Sequence, residues 1–136
     1  MPHLMSMKGP MYLEATPLNG IIINNHNPIP NQLWEFIPVN GLADIYQIRS
    51  ISSGLLLTYH GYHGCAVTLS QLLGPNNVDY QRWQAKVKSP PFKILTLRNL
   101  KRCLDVCNGE TAVGRHVIEW RVRNRGNLNN QLWNLV

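Results

Sequence analysis

Asp105, Trp120, Asn130 and Gln131 are four residues whose side chains suit one kind of ligand. An ionised carboxylate accepts charge-assisted hydrogen bonds from two neighbouring hydroxyls at once. An amide such as that of Asn130 both donates and accepts, matching hydroxyls that do both. A tryptophan ring offers the largest flat apolar face available to a side chain. Vicinal hydroxyls on one side and an apolar C–H face on the other are what galactose and N-acetylgalactosamine present, because their O4 is axial. Asp105, Trp120 and Asn130 are therefore the candidate binding residues, with Gln131 in support.

Glu14, His26 and Asn31 form a weaker version of the same set, with the acid one methylene longer and an imidazole as the nearby ring. They are the candidate second site. The middle of the chain offers Leu57 or Thr58 where the acid should stand, Ser70 near the ring position and Tyr80 for the amide, so no working site is expected there.

Other chemistry is poorly supported. Glu14, Asp105, Glu110 and Glu119 are the carboxylates available for glycoside hydrolysis, but no spacing sets two of them across a cleft. No nucleophile-elbow, zinc-protease, phosphate-loop or Cys-x-x-Cys motif is present, and no enzyme activity, cofactor or metal is expected. His60, His63 and Cys65 are close in sequence, but a metal would need three or four converging ligands. Three cysteines, Cys65, Cys103 and Cys107, are too few for a disulfide framework and read as reduced thiols. The chain shows neither a secretory leader nor an apolar run long enough to span a membrane. The expectation is a cytoplasmic protein, or one exported without a classical signal.

The elements that must position these residues are legible as a repeat. Gln32-Leu33-Trp34, Gln81-Arg82-Trp83 and Gln131-Leu132-Trp133 place tryptophans 49 and 50 residues apart in a chain of 136. Strand-like stretches recur before each motif: Met11–Glu14, Gly54–Leu57 and Arg102–Asp105, then Gly20–Ile23, Ala66–Leu69 and His116–Glu119. Opening strands fall at Ile45–Ile48 and Phe92–Leu95, with a poorer one at Leu4–Met7, and closing strands at Glu35–Ile37, Gln84–Val87 and Asn134–Val136. No stretch carries a convincing helical period. Each unit of about four short strands is too small to bury its own apolar face, so three copies must share one core. The expected fold is all-β: one β-trefoil domain over 1–136, with pseudo-three-fold units near 1–40, 41–88 and 89–136. The tryptophans plug its core and the glutamines satisfy nearby backbone groups.

Cys103-Leu104-Asp105-Val106, Gly114 through Trp120 and Asn130-Gln131-Leu132-Trp133 together resemble the R-type, ricin B-chain-like lectins. Tyr12-Leu13-Glu14 and Ile21 through Pro28 are similar to the variant found in mushroom members. The resemblance implies a carbohydrate-binding module with up to three shallow pockets, no catalysis and no obligatory metal. Exported members often pair the cysteine of the Cys-Leu-Asp strand with one that would fall at Val122 here, so Cys103 is expected to be a buried free thiol.

Charge suggests alternatives. Residues 86–136 carry ten Lys and Arg against three acids, a surplus of seven, whereas residues 1–85 are net −1, giving +6 overall. Arg121, Arg123 and Arg125 alternate with other residues, and an extended chain would set them on one side to meet acidic glycans or nucleic acid. A trefoil of this size also suits a protease inhibitor acting through an exposed loop, for which Gln71–Asp79 is the candidate. Glycans are the expected partners, and a homodimer would add avidity to shallow pockets.

Overall fold

The computed structural model describes residues 2–9, 11–107, 114–126 and 128–136; Glu110 lies outside them. Twelve strands are present among the described residues, four per unit. The first unit holds β1 (Leu4–Ser6), β2 (Met11–Ala15), β3 (Ile21–Asn24) and β4 (Trp34–Pro38). The second holds β5 (Ile45–Ser50), β6 (Leu56–Thr58), β7 (Thr68–Ser70) and β8 (Trp83–Gln84). The third holds β9 (Leu95–Thr96), β10 (Asn99–Val106), β11 (Val117–Arg121) and β12 (Trp133–Leu135).

First and fourth strands close into a ring. β1 pairs with β12, β4 with β5 and β8 with β9 between units, all antiparallel. Within units the ring is completed by β5 on β8 and by the bridges His3–Leu33 and Phe92–Trp133. Second and third strands form three hairpins, β2–β3, β6–β7 and β10–β11. These hairpins meet through bridges from Gly20 to Thr68, Ala66 to Ile118 and Ile22 to His116, so each touches both others. That arrangement is the β-trefoil expected from the repeat, and ring closure leaves few strand edges open to another chain.

The core repeats with the units. Trp34, Trp83 and Trp133 are fully buried, and their indole N–H groups donate to the carbonyls of Leu13, Leu57 and Leu104 at 3.0, 3.1 and 3.2 Å. Leu4, Ile48 and Ile94 are buried at matching places, each two residues before a buried hydroxyl: Ser6, Ser50 and Thr96. Truncating any of these indoles to alanine would cost about 3–5 kcal/mol, because the cavity cannot fully collapse.

Two local expectations need correction. The opening strand of the first unit is regular, whereas that of the third is cut to two residues, with Phe92 making only a bridge to Trp133. Pro90 and Pro91 just before Phe92 lack the N–H groups a longer ladder requires. Each Gln-x-Trp is also preceded by a short 3₁₀ turn, at Pro30–Gln32, Val78–Gln81 and Asn129–Gln131. A single such turn has no periodicity to detect in a sequence.

Candidate functional site

The glutamine at the end of each 3₁₀ turn organises one pocket position. All three are fully buried. Gln131 donates through Nε2 to the Arg121 carbonyl at 2.8 Å and accepts from the Arg123 N–H at 2.9 Å. Gln32 does the same with the Asn25 carbonyl and Asn27 N–H, and Gln81 with the Gln71 carbonyl and Leu73 N–H. The second N–H of each amide reaches the hairpin: Gln131 to Asp105 Oδ2 at 2.9 Å, Gln32 to Glu14 Oε1 at 3.0 Å and Gln81 to Thr58 Oγ1 at 3.2 Å. This bonding makes Asp105, Glu14 and Thr58 equivalent. It settles the middle unit on Thr58, since Leu57 matches Leu13 and Leu104 as an acceptor for the core tryptophan.

In the third unit the sequence candidates come together. Asn130 donates through Nδ2 to Asp105 Oδ1 at 2.8 Å, so each carboxylate oxygen receives one amide N–H. Asp105 is only 2% exposed. Burial pushes its carboxyl above the usual range, opposed by the Gln131 and Asn130 bonds and by the nearby charges of Arg123 and His63. Trp120 pairs with Cys103 across the β10–β11 ladder while Asp105 pairs with Ile118, which sets Trp120 and Asp105 on the same hairpin face. Cys103 is buried and free, and burial together with Asp105 pushes its thiol up to about 12.

His63 belongs to this site and was not singled out for it. Its imidazole lies 3.9 Å from the Trp120 ring, centroid to centroid and tilted 37°, across the boundary between second and third units. Gly64 lies against the same indole, its φ of +81° favouring glycine, while a Cβ there would only touch Trp120 Cζ3 at 3.4 Å. The sequence signal for it is the glycine-rich stretch from Gly61 to Gly64, whose composition does not say which ring it approaches. His63 stacks on Trp120, while His60 Nε2 meets the Thr68 hydroxyl at 2.8 Å. Among the described residues no three His, Cys, Asp or Glu side chains are grouped to hold a metal.

The first unit builds its pocket differently from the sequence reading. Glu14 is held by Asn24 at 3.2 and 3.3 Å and by Gln32, whereas Asn31 has its Oδ1 buried without a described partner. Asn24 occupies the register position of Trp120, and Tyr12 that of Cys103. The aromatic surface therefore moves one strand over: Tyr12 packs against His26 at 5.0 Å and His3 at 5.6 Å. His3 titrates below its ordinary range, chiefly from burial and then from His26. Of the two residues that spacing offers for the ring position, Asn24 and Asn25, the register selects Asn24; Tyr12 is the residue that spacing from the motif does not reveal.

In the middle unit Thr58, Ser70 and Gln81 bond one another where an acid and a ring stand in the third. A pocket of about 370 Å³ remains, with Tyr59, Leu73 and Tyr80 in its walls.

The basic edge is exposed at Arg121, Arg123 and Arg125, but β11 ends at Arg121, so strand alternation does not align all three. In the loop after β7, Leu72 is 67% exposed while the Leu73 N–H is tied to Gln81.

The fold and these side-chain positions define a three-fold β-trefoil with a carboxylate–amide cluster on its third hairpin. The family model of the ricin-type beta-trefoil lectin domain-like family matches residues 30–120, and the chain belongs to that family. A designed three-fold symmetric protein, ThreeFoil, superposes with a TM-score of 0.84 at 22% identity, covering 99% of this chain and 96% of that one. The ricin B-like lectin of Macrolepiota procera, solved with lactose, gives 0.79 at 20% identity over 98% and 92%. The C-half of an earthworm R-type lectin, solved with GalNAc, gives 0.73 at 20% identity over 98% and 95%. No curated protein sequence matches the chain.

Proposed function

We propose that this protein is a lectin that binds galactose or N-acetylgalactosamine at its third unit. The observation that carries the reading is the Asp105 carboxylate, positioned by Asn130 and Gln131 on the hairpin face it shares with Trp120. The vicinal hydroxyls O3 and O4 donate to Asp105, and Asn130 exchanges hydrogen bonds with one of them. With His63 against one face of the indole, the sugar's C–H face takes the other. Lectins of this fold solved with lactose and with GalNAc support the sugar class. Glu14, with Asn24 and the Tyr12–His26 rings, forms a second and weaker site. The module acts by binding and performs no catalysis.

Calorimetric titration with methyl galactoside and N-acetylgalactosamine tests the proposal. The parent should bind at least one of them, and folded Trp120→Ala should lose more than tenfold in affinity. Failure of the parent to bind either sugar refutes the specificity, and unchanged binding by Trp120→Ala refutes the site.

Arg121, Arg123 and Arg125 form an exposed positive edge on the chain that leads to Gln131, which favours an added electrostatic attraction for acidic glycans.

A further inference from the structure

A cleft of about 230 Å³ opens between the second and third units, sharing Tyr59 and Tyr80 with the middle-unit pocket but not its Thr58 and Ser70. Tyr80, Arg98, Asn99, Arg102 and Glu119 line it. Glu119 is buried at its base, where Oε1 accepts the Gly61 N–H at 3.0 Å and Oε2 lies 3.4 Å from Arg102. That carboxylate neutralises one guanidinium only. Arg102 uses Nη1 for both the Gly61 carbonyl and Glu119, and its other guanidinium N–H groups meet no acceptor among the described residues. Arg121 stands directly opposite Arg102 in the β10–β11 ladder, a like-charge pair that an anion would relieve.

Arg98 has no acidic partner among the described residues. Its guanidinium lies over the Tyr80 ring, 4.5 Å from the centroid, and its backbone N–H is fixed by the Tyr59 hydroxyl at 3.0 Å. Asn99 accepts the Lys101 N–H through Oδ1, and its amide NH₂ has no acceptor among the described residues. The cleft thus combines a surplus of positive charge, planar donor forks and an arginine already ordered by stacking. Guanidinium forks match the two oxygens of a carboxylate or sulfate, and prior ordering lowers the entropic cost of binding.

We propose that this cleft is a second kind of binding site, which takes the oxyanion of an acidic saccharide, a uronate carboxylate or a sulfate ester. Arg98 and Arg102 hold the oxyanion, and Asn99 donates to it. That the anion is carried on a sugar rests on the lectin reading; the oxyanion chemistry does not.

The test titrates the full chain at fixed ionic strength with methyl glucuronide, galactose 6-sulfate, inorganic sulfate and methyl galactoside. At least one acidic saccharide should bind, and Arg98→Gln should weaken it at least tenfold while leaving methyl galactoside unchanged. Arg98→Lys, which keeps the charge without the fork, should lose less. The pair Arg102→Gln with Glu119→Gln removes the second guanidinium without stranding a buried carboxylate, and should weaken the same ligands. Asp105→Ala should weaken galactoside binding more than tenfold yet spare the acidic saccharides, and the pair Arg123→Gln with Arg125→Gln should also spare them. Acidic binding that is absent, or indifferent to Arg98→Gln, overturns the proposal. Inorganic sulfate bound as tightly as the sugar sulfate overturns its saccharide part.

Discussion

Asp105 and Thr58 hold the same place in successive units, each receiving the Nε2 of its Gln-x-Trp glutamine, at 2.9 and 3.2 Å. The hydrogen-bonding frame survives the exchange of acid for alcohol, while the charge does not. A hydroxyl already bonded to Ser70 and the Leu56 carbonyl is a poor acceptor for two vicinal hydroxyls. Methyl galactoside should therefore shift backbone amide signals around Asp105 and leave those around Thr58 and Ser70 unmoved in a two-dimensional NMR titration. Shifts at the middle unit would contradict this.

Asp105 ties two amides and is also the acceptor that the proposed sugar contact requires. Asp105→Ala should lower galactoside affinity more than tenfold, since each bond to the charged acid is worth roughly 1.5–3 kcal/mol. It should also lower stability, because the buried Asn130 and Gln131 donors lose their acceptor. Chemical denaturation beside calorimetry separates the two effects, and equal affinity in the folded variant would count against the site.

Acid should weaken binding early. Burial raises the Asp105 carboxyl above the ordinary aspartate range, so it takes up a proton at higher pH than an exposed aspartate. Only the ionised form accepts from two hydroxyls. Galactoside affinity should therefore fall as pH drops through that raised value, and Asp105→Asn should flatten the profile. For stability the sign is opposite. The folded state holds this proton more tightly than the unfolded one, so the contribution of Asp105 is full below the unfolded value and is lost as pH rises through the folded value.

Gln81 should matter to stability and not to galactoside binding. Its side chain satisfies the Leu73 N–H and the Gln71 carbonyl in a fully buried place. Gln81→Ala should cost roughly 1–3 kcal/mol for each group left unsatisfied. Thermal unfolding measures the loss, and an unchanged midpoint would show that water replaces the amide.

The edge at Arg121, Arg123 and Arg125 is exposed, and its attraction for sulfated polymers should fall as salt shortens the screening length below about 10 Å. Neutral-sugar affinity should barely change. Polymer binding that is flat between low and high salt removes the electrostatic contribution.

Three Gln-x-Trp motifs at near-equal spacing were enough to specify the trefoil, because a unit of four short strands has no stable way to bury a tryptophan alone. Asp105, Asn130 and Gln131 were legible for the same reason: residue type limits what a buried carboxylate and amides do for one another. What the sequence could not carry was register and contact between units. Whether Leu57 or Thr58 matches Asp105 turns on which of two adjacent residues faces the core, and a one-residue slip exchanges the faces of a strand. His63 reaches Trp120 from another unit, Tyr12 takes over the aromatic role beside Asn24, and Arg98 settles on Tyr80 beside Glu119. These neighbours are distant in sequence and share no motif. Hairpin register, ring closure and hairpin docking bring them together.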